Sequence, residues 1–217
     1  MRPTQTCLLN ENLEIFLNST LYLPLRMIIT ISGTPGSGKS TIAKQLQQLL
    51  HAERIYVGGI RRELARAKGM TLEELNVYAR THPETDVDVD KKAATQAREM
   101  EKKGKVVLVE GRTQYHFLSE SIKIFIKVDP EEGARRIWKD LQQKETQQQR
   151  NEGDITSFEQ MKKRILQREE EDARRYRKYY NIDHRDEKQY DFIIDTTKIS
   201  AAEATRKVME FVESTKE

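Results

Sequence analysis

The sequence contains little of several features that define large classes of proteins. Its 217 residues include one cysteine, Cys7, which excludes an internal disulfide and a cysteine-based metal cluster. No stretch approaches the run of about 18 apolar residues that a membrane-spanning helix needs. The 38 basic and 35 acidic side chains nearly cancel, and a net charge of +3 is too small to indicate DNA or membrane binding. We therefore expect a cytoplasmic protein with no membrane or nucleic acid partner.

The composition is typical of one soluble domain with a modest core and a charged surface, since 36% of the residues are apolar and 34% are charged. Residues 1–26 differ from the rest. Asn10, Glu11 and Glu14 interrupt their apolar stretch, so they do not form a convincing signal peptide. We predict that 1–26 is a dispensable N-terminal extension and that 27–217 is a single domain. A protein that starts at Met27 and fails to fold would contradict this prediction.

One stretch carries most of the functional information. Residues 33–41 read GTPGSGKST, which matches the P-loop pattern GxxxxGK[ST] between an apolar strand and a helical segment, as that pattern requires. Backbone N–H groups of such a loop cradle phosphates, the lysine reaches the outer phosphates and the following hydroxyl holds Mg²⁺. We predict that a nucleoside triphosphate binds here. The predicted binding residues are Gly33, Thr34, Pro35, Gly36, Ser37, Gly38, Lys39, Ser40 and Thr41.

Strand-like and helix-like segments alternate from Met27 onward, which predicts an α/β fold with a parallel sheet and helices on both faces. Each strand candidate is short and rich in Ile, Val or Phe, as expected for strands buried on both faces. The five candidates are Ile28–Ser32, Arg54–Val57, Lys105–Val109, Ile122–Val128 and Tyr190–Asp195. The predicted architecture is therefore the three-layer αβα fold of P-loop NTPases, with a five-stranded sheet.

Helix starts are marked by residues with capping-box spacing, Thr71 with Glu74, Thr156 with Glu159, and Ser200 with Glu203. Asp129 followed by Pro130 predicts another helix start.

Charged residues near two strand ends are candidates for the chemistry. Glu110 and Arg112 follow the third strand candidate, and ligands of open parallel sheets bind beyond the carboxyl ends of the strands. A carboxylate there can orient magnesium-bound water, and an arginine can bind phosphate in a bidentate manner. A simple salt bridge at the strand end is the alternative.

Gly58 and Gly59 with Arg61 and Arg62 suggest a second anion site, or else a glycine turn with exposed arginines.

The helical segment Ile165–Tyr180 has the densest charge, and Arg168, Asp172 and Arg175 lie along one stripe of it. Ion pairs at i,i+4 spacing explain the same composition as a solvated helix, so the residues alone leave the choice open. The glutamine-rich segment 142–154 is either a solvated loop or the tip of a mobile helical lid over the phosphates. Lid cations would then be Lys139, Lys144 and Arg150, and less clearly Arg136.

From Met27 to the C-terminus the sequence resembles cytidylate kinases, particularly the short archaeal-type (d)CMP kinases. The stretches that carry the resemblance are MIITISGTPGSGKST, GGIRRELARAKGMTLEEL, YARTHPETDVDVDK, VEGR and REEEDARRYRKYYNID. Gly59 departs from the pattern, because the family often has Asp there. The resemblance implies transfer of a phosphoryl group from ATP to CMP or dCMP with Mg²⁺. It implies an acceptor-binding region at about 58–104 and a lid at about 136–156.

The resemblance also implies roles for individual residues. Substrate binding falls to Arg62, Arg112, Arg168, Asp172 and Arg175, with Asp172 helping to read cytosine. Arg112, Arg168 and Arg175 are the residues to which we give a catalytic role on this basis. The P-loop pattern adds Lys39 as a catalytic residue, and Ser40 and Glu110 are the predicted metal ligands. We expect a monomer that acts on small-molecule substrates.

Three alternatives remain at this stage. The first is a P-loop kinase of the same architecture that acts on AMP, UMP or a small metabolite. A regulatory GTPase is disfavoured because no [NT]KxD motif follows the fourth strand candidate. RNA binding through the basic helix is disfavoured because acidic residues interleave with its arginines.

Overall fold

A computed structural model describes residues 27–143 and 155–215. The predicted extension 1–26, together with Lys144 and Arg150 of the predicted lid, lies outside the described residues.

Five strands and eight helices make up the described part of the chain. The strands are β1 (Met27–Gly33), β2 (Glu53–Tyr56), β3 (Val106–Glu110), β4 (Ile122–Lys127) and β5 (Phe192–Asp195). The helices are α1 (Lys39–Leu49), α2 (Val57–Ala67), α3 (Leu72–Tyr78), α4 (Glu84–Lys102), α5 (Gln114–Phe117), α6 (Pro130–Leu141), α7 (Phe158–Tyr180) and α8 (Ala201–Ser214). A short 3₁₀ turn, Glu187–Gln189, precedes β5.

The strands form one parallel sheet in the order β2-β3-β1-β4-β5. This confirms the predicted five-stranded parallel sheet, with ends that differ from the predicted ones by one or two residues. β1 lies at the centre, where Ile31 pairs with Glu110 of β3 and Gly33 pairs with Ile126 of β4. The loop after β1 therefore opens at the point where connections leave to both sides of the sheet, which is where ligands bind in open α/β sheets.

Alternation along β1 divides the core between the two faces of the sheet. Ile29 and Ile31 pack with Leu46 of α1 and Val208 of α8. Ile28 faces the other side and packs with Ala97 of α4. A three-layer αβα structure results, because a strand buried on both faces needs helices over both faces.

A separate apolar cluster joins α6 to α7. Ala134, Ile137 and Leu141 of α6 are buried against Met161 and Ile165 of α7. This contact fixes the position of α7, the helix that carries the predicted acceptor residues. No helix in the described ranges is long and apolar enough to cross a membrane.

Three of the four predicted helix starts are confirmed. Thr71 and Glu74 form a reciprocal capping box, Ser200 accepts from the Glu203 N–H, and Asp129 caps α6 ahead of Pro130.

The predicted start at Thr156 is wrong by one residue. Ser157 is the cap of α7, and its Oγ accepts from the Gln160 N–H at 3.2 Å. The hydroxyl of Thr156 instead donates to Gln160 Oε1 at 2.9 Å. Ser157 and Gln160 have the same capping-box spacing as Thr156 and Glu159, and that register allows Gln160 to bond Thr156 as well.

Candidate active site

Hydrogen bonds to neighbouring segments hold the P-loop in place. The Thr34 N–H donates to the Ile126 carbonyl at 3.1 Å, and the Ser37 carbonyl accepts from the Thr196 hydroxyl at 2.9 Å. Gly36 has a φ of +75°, and a Cβ there would overlap the backbone of Gly133 in α6. A side chain at position 36 is thus excluded both by conformation and by space. The loop is fixed before any ligand arrives, and the N-terminus of α1 favours an anion at this point.

Three side chains contact Glu110 at the P-loop. Glu110, fully buried at the end of β3, accepts from the Ser40 hydroxyl at 2.5 Å and lies 3.5 Å from Lys39 Nζ. Arg54 of β2 pairs with the second carboxylate oxygen of Glu110. Burial alone would raise the pKa of Glu110, but the charges of Lys39 and Arg54 and the Ser40 hydrogen bond lower it below its usual value. Burial lowers the pKa of Lys39, and the Glu110 charge opposes this shift.

This donor set fits a magnesium ion. A hydroxyl and an ionised carboxylate are hard oxygen ligands, and Mg²⁺ is commonly held by one or two protein oxygens together with substrate phosphates. No group of three or more His, Cys, Asp or Glu side chains suited to a metal occurs in residues 27–143 and 155–215. A metal held by Ser40 and Glu110 would therefore need further ligands from phosphate or water.

Tyr56 links this region to Arg62. Its hydroxyl accepts from Arg62 Nη1 at 2.7 Å, and the guanidinium of Arg54 lies 4.8 Å from the centre of its ring. The ring packs closely on the start of α2, where a Cβ at Gly59 would approach a ring carbon to 2.6 Å. Glycine at position 59 thus makes room for Tyr56. As predicted, Gly58 and Gly59 lie in the first turn of a helix. Arg62 of the same helix is held by its hydrogen bond to Tyr56.

Arg112 connects the strand end to α7. Its guanidinium pairs with Asp172 and, at 2.8 Å, with Glu169 Oε1. Burial of Asp172 would raise its pKa, but the charges of Arg112 and Arg175 hold that pKa far below its usual value. Glu110 of β3, two residues before Arg112, lies beside Ser40, so the same strand end contributes to two parts of the site.

A second group of ion pairs joins α2, α4 and α7. Asp86 pairs with Arg61 and, at 3.0 Å, with Arg175 Nε. Arg175 also donates to Asp172 at 2.5 Å. Because Arg175 is buried between two carboxylates, it is placed to orient Asp86 and Asp172.

One cavity of about 360 Å³ extends from the P-loop to Asp86 and Asp172. Its lining includes the P-loop residues 34–41 and Tyr56 at one end. We call this the donor end. The acceptor end is lined by polar side chains of α2, α3, α4, α7 and the segment after β3. They are Arg61, Arg62, Asn76, Asp86, Asp90, Arg112, Thr113, Arg168 and Asp172.

The cavity brings together most of the residues predicted from the sequence. Arg62, Arg112, Arg168 and Asp172 line it, whereas Arg175 is not among the lining residues. Arg136 also lines the cavity and donates to the Thr196 carbonyl at 2.8 Å. Direct contact of these side chains with a substrate stays a prediction, as does the lid at about 136–156.

The sequence interpretation missed several residues of the site. Arg54, Tyr56, Asp86 and Asp90 were given no role, yet Tyr56, Asp86 and Asp90 line the cavity and Arg54 contacts Glu110. The i,i+4 spacing of Asp86 and Asp90 was a usable signal, because it places both on one face of a helix. No local pattern marked Arg54, whose partner lies 56 positions away.

A central P-loop whose cavity continues to a second wall of arginines and carboxylates suits an enzyme that binds two ligands at once. Proteins with this sheet, loop and cavity are P-loop kinases, and the protein belongs to that class.

Comparisons with known proteins define the family. The AAA domain model matches residues 29–157, more than half of the chain. The cytidylate kinase of Archaeoglobus fulgidus is 38% identical over 188 residues, which cover 86% of this chain and 95% of the relative. The cytidylate kinase of Methanosarcina mazei is 37% identical over 177 residues, with 79% and 88% covered. The chain belongs to the cytidylate kinase family.

Solved structures support the fold. An uncharacterized protein from Eubacterium ventriosum matches with a TM-score of 0.61 at 16% identity, over 87% of this chain and 99% of that chain. Shikimate kinase from Acinetobacter baumannii, in complex with shikimate, matches with a TM-score of 0.51 at 18% identity, over 88% and 94%. At these identities the similarity concerns the fold alone.

Proposed function

We propose that the protein transfers the γ-phosphoryl group of ATP to CMP or dCMP, giving CDP or dCDP, with Mg²⁺ as cofactor. The observation that carries the proposal is the single cavity with a P-loop at its donor end and paired arginines and carboxylates at its acceptor end. Family membership narrows the acceptor to a cytidine monophosphate.

The donor end would hold the triphosphate. Backbone N–H groups of the P-loop and the Lys39 ammonium offset the phosphate charge, and the fixed loop avoids reorganisation during the reaction. Ser40 and Glu110 would hold Mg²⁺, which supplies further charge neutralisation on the transferred group. Arg54 pairs with Glu110 Oε2, so that Glu110 Oε1 stays directed at Ser40.

The acceptor end would align the monophosphate. Arg62, Arg112 and Arg168 line the cavity and would offset the charge of the acceptor phosphate, so that its oxygen can approach the γ-phosphorus in line. Arg175 does not line the cavity. It would contribute by donating a hydrogen bond that orients Asp172. We retain the role of Asp172 in reading cytosine as part of the proposal. A phosphate acceptor is already anionic, so no general base is required.

A panel of acceptors tests the proposal. Purified protein is assayed with ATP and Mg²⁺ against CMP, dCMP, UMP, AMP, GMP and shikimate, and formation of the phosphorylated acceptor is followed directly. We expect the highest kcat/KM with CMP or dCMP. Equal or better transfer to AMP, UMP or shikimate would favour the alternative, a P-loop kinase of another acceptor. The expected monomeric state and cytoplasmic location stay predictions.

A further inference from the structure

Three buried aspartates line the acceptor end of the cavity, and one of them differs from the other two. Asp86 and Asp172 are each paired with two arginines. Asp90, which is only 5% exposed, has no lysine or arginine nitrogen within 4.0 Å anywhere in the described ranges. Asp86 and Asp172 are therefore balanced by direct ion pairs, whereas Asp90 has only the more distant charge of Arg61.

The partners of Asp90 are all neutral donors. Its Oδ2 accepts from the Thr113 hydroxyl and the Tyr180 hydroxyl, both at 2.8 Å, and its Oδ1 accepts from Gln114 Nε2 at 2.9 Å. A carboxylate offers about four acceptor positions, so one position on Oδ1 remains for a ligand. Beside it, the buried Gln114 Oε1 has no hydrogen-bond partner. Asp90, which lines the cavity, thus has an acceptor position that its three hydrogen bonds leave open.

Burial of the Asp90 carboxylate destabilises the folded protein unless a ligand donates a hydrogen bond to it. A buried carboxylate without an ion pair is destabilising, and burial raises the pKa of Asp90 in spite of its three hydrogen bonds and the charge of Arg61. A phosphate would be repelled by it. A neutral group that carries N–H hydrogens would instead satisfy the open acceptor position.

The surroundings of Asp90 are suited to the base of a nucleotide. The ring of Tyr176 lines the cavity, as does the buried side chain of Leu72, and a flat aromatic ring together with an apolar side chain favours stacking of a base. Cytosine carries an amino donor at C4, whereas the related carbonyl-bearing pyrimidine carries an acceptor at that position.

We propose that Asp90 is a specificity-determining residue, which accepts a hydrogen bond from the exocyclic amino group of the acceptor base and so selects cytosine over uracil. The inference rests on the proposed function, since it concerns the acceptor of that reaction. Asp172 keeps Arg112 and Arg175 in place beside its proposed contribution to reading cytosine, and Asp90 would contact the amino group of the base.

The test compares Asp90→Asn with Asp88→Asn. Both changes remove one carboxylate from the same helix, but Asp88 is exposed and does not line the cavity. Dissociation constants and kcat/KM are measured for CMP and UMP, with thermal unfolding as a check on folding. For Asp90→Asn we expect the preference for CMP over UMP to fall about tenfold, with the KM for ATP within twofold of wild type. Asp88→Asn should keep the wild-type preference.

Two results would overturn the inference. One is an Asp90→Asn protein, folded by thermal unfolding, whose CMP preference stays within twofold of wild type. The other is a wild-type protein that binds CMP and UMP equally. Failure of the proposed function is instead seen in the acceptor panel with the wild-type protein, which would then phosphorylate neither CMP nor dCMP, or would phosphorylate AMP, UMP or shikimate equally well or better.

Discussion

The donor and acceptor ends of the cavity are built in opposite ways. The donor end comes mostly from one continuous stretch, residues 34–41, whose backbone is fixed by hydrogen bonds to Ile126 and Thr196. The acceptor end is assembled from side chains of α2, α3, α4, α7 and the segment after β3, and long-range ion pairs hold them together.

The difference reflects what each end has to recognise. Phosphates of a triphosphate are bound by backbone N–H groups, which any sequence with the right glycines can present. A particular monophosphate must be distinguished by its base, and this requires side chains of defined chemistry at defined positions. We expect changes at the donor end to abolish turnover with any acceptor, and changes at the acceptor end to alter affinity and choice.

The largest effect is expected for Lys39→Ala. Lys39 lines the donor end and faces Glu110 at 3.5 Å, so its loss removes the charge that stabilises the transferred phosphoryl group. We expect kcat to fall about 10³-fold or more with every acceptor. Lys44→Ala, an exposed change in the same helix, is the matched control and should retain wild-type kcat. A Lys39→Ala protein whose kcat falls by very different factors for different acceptors would contradict the proposed separation of donor and acceptor binding.

Arg112→Ala should affect the acceptor end and the fold together. Removing Arg112 leaves the buried Asp172 with one arginine partner instead of two. We expect kcat/KM for CMP to fall about 10²-fold or more and the free energy of unfolding to fall by about 3 kcal/mol.

Kinetics and urea denaturation measure both effects of Arg112→Ala. The exposed Arg177→Ala in α7 serves as the control. Loss of ATP affinity equal to the loss of CMP affinity would contradict the assignment of Arg112 to the acceptor end.

A moderate and selective effect is expected for Glu110→Gln. The amide keeps the shape of the side chain but loses the charge that would hold Mg²⁺ with Ser40. We expect the Mg²⁺ concentration for half-maximal ATP binding to rise about tenfold, with CMP binding in the absence of metal unchanged. Titration calorimetry at several Mg²⁺ concentrations measures this. An unchanged Mg²⁺ requirement would exclude Glu110 from the metal site.

The smallest effect is a change in stability with pH for Asp90→Asn. Burial raises the folded-state pKa of Asp90, so the folded protein is destabilised at any pH above the unfolded value of about 3.8. Asparagine removes this cost. We expect Asp90→Asn to raise Tm by a few degrees at pH 7, with the gain shrinking as the pH falls toward 4.

The control for the Tm measurement is again Asp88→Asn, which should show no such trend. A lower Tm for Asp90→Asn at pH 7 would indicate that the carboxylate itself stabilises the fold.

The sequence predicted the donor end almost completely, because its residues are contiguous and their spacing defines the loop. The sheet also followed from local patterns, since five short apolar strands alternate with capped helices. Glu110 was found from the rule that ligands bind beyond strand ends, and it lies where expected, next to Ser40.

The acceptor end could be predicted only in part. The resemblance to cytidylate kinases singled out Arg62, Arg112 and Asp172, all of which line the cavity. Asp90 was missed because its character depends on Thr113 and Tyr180, the latter 90 positions away, and on the lack of a direct ion pair among the described residues. Partnerships of this kind are set by tertiary packing and leave no local signal.

Simultaneous binding tests the central claim most directly. Protein saturated with a non-hydrolysable ATP analogue and Mg²⁺ is titrated with CMP in a calorimeter. We expect CMP to bind at one site per chain without displacing the analogue, because the donor and acceptor ends are distinct parts of one cavity. Competition between CMP and the analogue for a single site would contradict the account.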